Sequence, residues 1–106
     1  MSKILYCIAQ FTPKEGKFDT LLETLKALEP NTLREDGCIH YRVTRQINNP
    51  FAEGKSMPIV LNEKWESIEA FEQHCQKKEI VDFFEKECLA SEGLVAAYNV
   101  TAYSDE

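Results

Sequence analysis

The chain has 106 residues, 43% hydrophobic and 28% charged, with only 4 Gly and 4 Pro, the composition of one compact domain (residues 1–106) and too short for a second. At this size folding hides only about two thirds of the surface that an extended chain exposes, so a single core is thin and a second copy would help it. Twelve Lys and Arg against 18 Asp and Glu leave a net charge of −6, which argues against a nucleic-acid backbone or an anionic membrane as partner. No apolar run approaches the roughly 20 residues of a bilayer span, and the segment after Met1 lacks a signal peptide's apolar stretch, so the expected location is cytoplasmic. Cys7, Cys38, Cys75 and Cys88 stand singly, without the close pairs of a zinc site or the density of a disulfide scaffold; four reduced, mostly buried thiols are expected.

Lys3 to Phe11 reads as a strand that is apolar on both parities, with Ile4, Tyr6 and Ile8 opposed to Leu5, Cys7, Ala9 and Phe11, so both of its faces are expected to be covered. Pro13 and Gly16 punctuate the chain before Phe18, Leu21, Leu22, Leu25 and Leu28 recur at helical spacing. Pro30 is expected to end that helix, with Asn31 or Thr32 capping a short turn that stops at Gly37. Cys38 to Ile47 alternates, placing Ile39, Tyr41, Val43 and Ile47 on one side and mostly polar residues on the other, as an edge or near-edge strand does. Asn48 to Met57, with Pro50 and Gly54, reads as a long, mobile hairpin connection. In the next strand, Pro58 to Trp65, residues Ile59, Leu61, Glu63 and Trp65 share a face. Ser67 is a good N-cap for a helix carrying Ile68, Phe71 and Cys75; a further helical stretch from about Glu79 presents Ile80, Phe83, Phe84 and Cys88, and Gly93 closes it. The last strand, Leu94 to Tyr103, is again apolar on both parities for much of its length.

The order β α β β α β, with the second helix broken in two, is the split βαβ arrangement of ferredoxin-like α+β domains, whose helices cover one face of an antiparallel sheet. The other face then needs a cover from outside the chain, and a homodimer packed sheet to sheet is the expectation.

Few groups could carry chemistry. His74 borders the helix face that packs on the sheet, where it either handles a proton for a buried ligand or satisfies a backbone carbonyl. His40 falls on the polar parity of its strand and reads as a surface residue. Glu63, on the face of Leu61 and Trp65, either has its pKa raised by apolar surroundings or pairs with Lys64, Arg42 or Arg45. Tyr6, Phe11, Tyr41, Trp65, Phe71, Phe83, Phe84 and Tyr98 would suit a flat apolar ligand, or simply fill a core. There is no Walker loop, dinucleotide-binding glycine fingerprint, HExxH or nucleophile elbow.

The opening strand followed by FTPKEGKF, then Glu35, Gly37, Cys38 and Tyr41 in E-x-G-C-x-x-Y, then Glu63, Trp65, Ser67, Phe71 and His74 in NEKWESIEAFEQH, together resemble the antibiotic biosynthesis monooxygenase domain, a family of small dimeric α+β barrel proteins. The resemblance implies oxygenation of electron-rich aromatics such as quinols by O₂, with no flavin, haem or metal cofactor. It implies a catalytic set of His74, Glu63 and Trp65, with Trp65 and His74 lining the pocket and Glu63 or His74 handling the proton. Tyr41, Leu61, Phe71, Phe83 and Phe84 are the implied substrate-binding positions. Leu61 and Phe71 stand where the anthrone-oxidising branch carries Asn and Tyr, and Ala9, His74 and Phe84 stand where the haem-degrading branch carries Asn, Trp and His; the quinol monooxygenase type shares E-x-W-E-S and the following His. Two other readings fit the same residues: proton transfer within a small carbonyl compound, as in the isomerase branch, and a non-enzymatic dimeric ligand-binding or stress-response module.

Overall fold

The computed structural model describes residues 3–106, in the order β1 (Leu5–Pro13), α1 (Phe18–Lys26), α2 (Glu29–Leu33), β2 (Cys38–Arg45), β3 (Ile59–Trp65), α3 (Ile68–Cys75), α4 (Lys78–Phe83) and β4 (Val95–Tyr103). The chain runs from α4 directly into a π-helical turn, Phe84–Leu89. All strand pairings are antiparallel, in the sheet order β2-β3-β1-β4. This is the expected ferredoxin-like α+β fold, and β2 is an edge strand as its alternation suggested. No helix is long and apolar enough to cross a membrane.

The pleat sorts the sheet residues. Leu5, Cys7, Ala9 and Phe11 of β1 and Ile59, Leu61, Glu63 and Trp65 of β3 point under the helices and are buried, with Tyr41 and Val43 of β2 beside them. Register places Cys7, Glu63 and Tyr41 in one row across three strands, and Ala9, Leu61 and Val43 in the next. On the other face Tyr6, Ile8, Asn62, Lys64 and Thr101 meet across the strands, a more polar surface than two-sided apolar strands led one to expect. Tyr98 and Val100 of β4 lie on the helix side opposite Phe11 and Ala9. They are still 42% exposed, because the helices do not extend over that edge.

Several local expectations shift. The first helix ends at Lys26, before Pro30, which sits in the first turn of α2 where its missing N–H has no helical partner to lose. Asn31 and Thr32 therefore lie inside α2 rather than capping it, and Asn31 Oδ1 accepts from Arg34 Nη1. In β2 the register slips between Cys38 and His40, so Ile39 is an extra residue in a bulge and is turned outward, while Ile47 falls beyond the strand. Ser67 caps α3 as expected, its hydroxyl accepting from Ala70 N at 3.0 Å. The inward face of α3 is Ala70, Phe71 and His74, so Ile68 and Cys75 are exposed. Of the four free thiols, only Cys7 is buried. Residues 46–58 carry neither strand nor helix.

Gly37 requires its glycine twice over. Its φ is +84°, and a Cβ there would stand 2.6 Å from Ala70 Cβ. Its carbonyl accepts from Glu66 N at 2.8 Å. The turn between α2 and β2 is thereby pressed onto the start of α3.

Candidate functional site

Between helices and sheet lies a cavity of about 70 Å³. Tyr41, Leu61, Glu63, Phe71, His74, Phe83 and Phe84, seven of the eight residues singled out from the sequence, are on its wall. Trp65 is not: it is wholly buried behind Glu63 and His74, with its indole Nε1 donating to Glu63 Oε1 at 2.9 Å. The expectation that Trp65 lines the pocket is corrected to a supporting position. A larger open groove of about 550 Å³ runs under the connection from Gln46 to Pro58, but it gathers exposed loop residues and no buried titratable group.

Glu63 arrives on the wall because β3 buries alternate residues, and this one is a carboxylate among Cys7, Tyr41 and Leu61. The ion pair with Lys64, Arg42 or Arg45 does not form. Lys64 and Arg42 belong to the opposite face of the pleat, and Arg45 pairs with Ile59 at the far end of the strand. Burial raises the Glu63 pKa to about 7; the hydrogen bond from Trp65 and the Cys7 thiol oppose the rise, and the nearby Glu35 charge adds to it. Burial also holds the Tyr41 phenol well above its usual range, with the Glu63 charge adding to the effect, so it stays protonated.

His74 comes from the inward face of α3. Its ring lies 4.7 Å from the Trp65 ring, centroid to centroid, and 5.4 Å edge-on from Tyr41. Its Nδ1 does not meet a backbone carbonyl. It meets the Glu35 carboxylate, at 3.1 Å from Oε2 and 3.2 Å from Oε1. Burial lowers the His74 pKa, and the Glu35 hydrogen bond and charge oppose without reversing this, so the imidazole is neutral at neutral pH. Glu35 belongs to the E-x-G-C stretch, to which the sequence alone assigns no role. The available signal was the glycine two residues on, which forces the turn that brings this carboxylate to α3. His40 is exposed, as its parity predicted.

The wall is mostly apolar and aromatic, and Phe11, Phe83 and Phe84 pack edge-on or tilted with centroids 5.4–6.2 Å apart. Its exposed members are Cys75, at the end of α3, and Val100 on β4. Among the described residues no three His, Cys, Asp or Glu side chains converge as a ligand set for a metal would.

A family model described as antibiotic biosynthesis monooxygenase matches residues 4–86. The chain belongs to the antibiotic biosynthesis monooxygenase family. The matched span contains Glu35, Glu63, Trp65 and His74, hence the whole buried polar cluster. Among solved structures, the chain is similar to a protein from Shewanella oneidensis at 33% identity and TM-score 0.81, over 98% of this chain and 92% of that one. A Pseudomonas aeruginosa protein shares the fold at 23% identity and TM-score 0.79, covering 100% and 97%. A Nitrosomonas europaea protein provisionally named an antibiotic biosynthesis monooxygenase does so at 14% identity and TM-score 0.76, covering 98% and 91%. No curated protein matched the sequence. Membership carries a general monooxygenase-like function, on a fold that serves several chemistries.

Proposed function

We propose that this protein is a cofactor-independent monooxygenase of quinol-type or polyphenolic aromatics. One observation carries the reading: a neutral imidazole and a carboxyl group with a pKa of about 7 face the same apolar, aromatic-walled cavity. A hydroquinone bound there loses a phenolic proton to His74 or Glu63. The phenolate is electron-rich enough to pass one electron to O₂, and the resulting phenoxyl radical and superoxide combine to form a C–O bond. Loss of water from the peroxide, with the proton returned by the protein base, leaves a hydroxylated quinone and one water per O₂, the substrate supplying all the electrons. The protein's part is to bind, to take and return a proton, and to exclude water.

The cavity volume sets a condition on this. About 70 Å³ is under half of the roughly 150 Å³ that holds a benzene in an engineered cavity. A ring therefore enters only if the wall yields, and the exposed Val100 and Cys75 side is where least packing resists. The same small volume favours a second reading, a binding module whose pocket is filled by its own side chains. A small carbonyl compound isomerised by the same acid and base would fit with less movement. The reading includes a homodimer, whose second copy would cover the open sheet face around Ile8.

Oxygen uptake with a panel of hydroquinones, naphthohydroquinones and anthrones, corrected for autoxidation, is expected to exceed background and to fall at least 100-fold in His74→Ala. No uptake above background across the panel overturns the monooxygenase reading, and turnover that persists without oxygen replaces it with the isomerase. Sedimentation at micromolar concentration is expected to give a dimer; a monomer removes the second copy.

A further inference from the structure

We propose that Glu35 is the positioning residue of this site: its carboxylate holds His74 in the Nδ1–H tautomer and so leaves the Nε2 lone pair free to receive the substrate proton. The inference rests on the monooxygenase reading for its substrate, a phenol, but the tautomer stands independently of it.

Both Glu35 oxygens lie within 3.2 Å of Nδ1, and the two side chains are 11% and 4% exposed, so the contact is sheltered from solvent competition. A carboxylate can only accept, which obliges Nδ1 to carry the hydrogen. Nε2 has no hydrogen-bond partner among the described residues, while the ring itself lines the cavity. The imidazole is thus a donor at Nδ1 and has its Nε2 lone pair unengaged. Glu35 reaches this place through a rigid turn: Gly37 at φ +84° leaves no room for a side chain against Ala70, and the same turn is tied to Glu66 N. On its other side Glu35 borders an open surface cleft with Asn31, Arg34, Lys77 and Glu79. The carboxylate consequently stands between that cleft and a buried ring.

The step balances simply. The phenolic O–H bond breaks, its proton forms Nε2–H, and the imidazolium so produced keeps its Nδ1–H donated to the Glu35 carboxylate, whose charge stabilises it. When the peroxide loses water, Nε2 returns that proton. Glu63, held by Trp65, faces the same space. The groups bearing on His74 are Glu35 from the turn after α2, Glu79 and Lys77 at the start of α4, Tyr41 of β2 and Glu63 of β3; of these only Glu35 bonds to its ring.

The experiment is a long-range ¹H–¹⁵N correlation spectrum of the uniformly labelled full chain near pH 7.5, with the exposed His40 replaced by Gln for assignment. The wild-type His74 is expected to show a protonated Nδ1 and an unprotonated Nε2. In Glu35→Gln, whose amide can donate to Nδ1, the pattern is expected to invert, and quinol-dependent oxygen uptake is expected to fall by up to about 10⁴-fold with KM nearly unchanged, the loss that follows when a histidine-orienting carboxylate becomes an amide in a catalytic triad. Glu35→Asp is expected to recover part of the rate. A wild-type Nε2–H tautomer, or a Glu35→Gln protein that keeps both the wild-type tautomer and the wild-type rate, overturns the proposal. If Glu35→Gln fails to fold, the wild-type spectrum alone decides. If no phenol is oxidised, the spectrum still decides the role of Glu35, and only the monooxygenase reading falls.

Discussion

The two edges of the sheet are built from similar residues and end differently. On β2, Tyr41 and Val43 are buried at 3% and 4%, and the Val43 amide donates to Glu29 Oε2 at 2.7 Å, so α2 both roofs and caps that edge. On β4, Tyr98 and Val100 face the same side of the sheet and remain 42% exposed. The contrast teaches that burial here follows helix placement rather than strand composition: apolar residues under a helix make core, and the same residues one strand beyond it make the rim of a cavity. Glu63 and His74 sit on the roofed half, and the exposed Val100 belongs to the other.

The most damaging test of the roofed half is Trp65→Ala. Emptying a fully buried indole is expected to cost about 3–5 kcal/mol in urea unfolding, because it leaves a void and removes the donor to Glu63. A loss below 1 kcal/mol would mean that the roof is loosely packed.

Next comes Glu63→Gln, which is expected to stabilise. The native carboxyl titrates near 7 against an ordinary 4.5, so the folded state holds a proton that the unfolded chain has released between those values. Its favourable contribution is complete below about pH 4.5 and lost as pH rises through 7. The amide escapes this loss, so the variant should gain about 2–3 kcal/mol over wild type at pH 8 and almost nothing at pH 4. Equal gains at both values would show that Glu63 titrates normally.

The comparison itself is sharpened by one truncation made at both edges. Val43→Ala should cost about 1–2 kcal/mol, and Val100→Ala, already half in solvent, about 0.5 kcal/mol or less. A Val100 cost that matches Val43 and grows with protein concentration would show that another copy covers β4. The smallest effect expected is Phe51→Ser, on a ring 98% exposed in the β2–β3 connection, within about 0.5 kcal/mol of wild type by thermal melting.

Most of the fold could be read from periodicity because the strands alternate cleanly: Ile59, Leu61, Glu63 and Trp65 alternate with half-exposed residues as the pattern required. The misreadings arose where one residue changes phase or one turn tightens. The bulge at Ile39 costs no residue type that betrays it, and a proline reads as a helix end whether it follows the last turn or opens the next. The cavity wall was legible because it is the inward parity of β3 plus aromatic residues of the helices. Its polar wiring was not. Trp65 bonding Glu63 is a contact between two residues of one strand face, and Glu35 meeting His74 spans 39 positions through a turn, which no local pattern encodes.

Glu29 has one more consequence. Misfolded β-proteins grow into fibres when each added chain offers a fresh template strand on its far side. In this fold a side chain from α2 already occupies one outward amide of β2, that of Val43, so a strand added to that edge would have to displace Glu29. Two molecules that joined through β4 would leave only β2 edges, each obstructed at Val43, to a third. Glu29 therefore works against open-ended strand addition at the β2 edge.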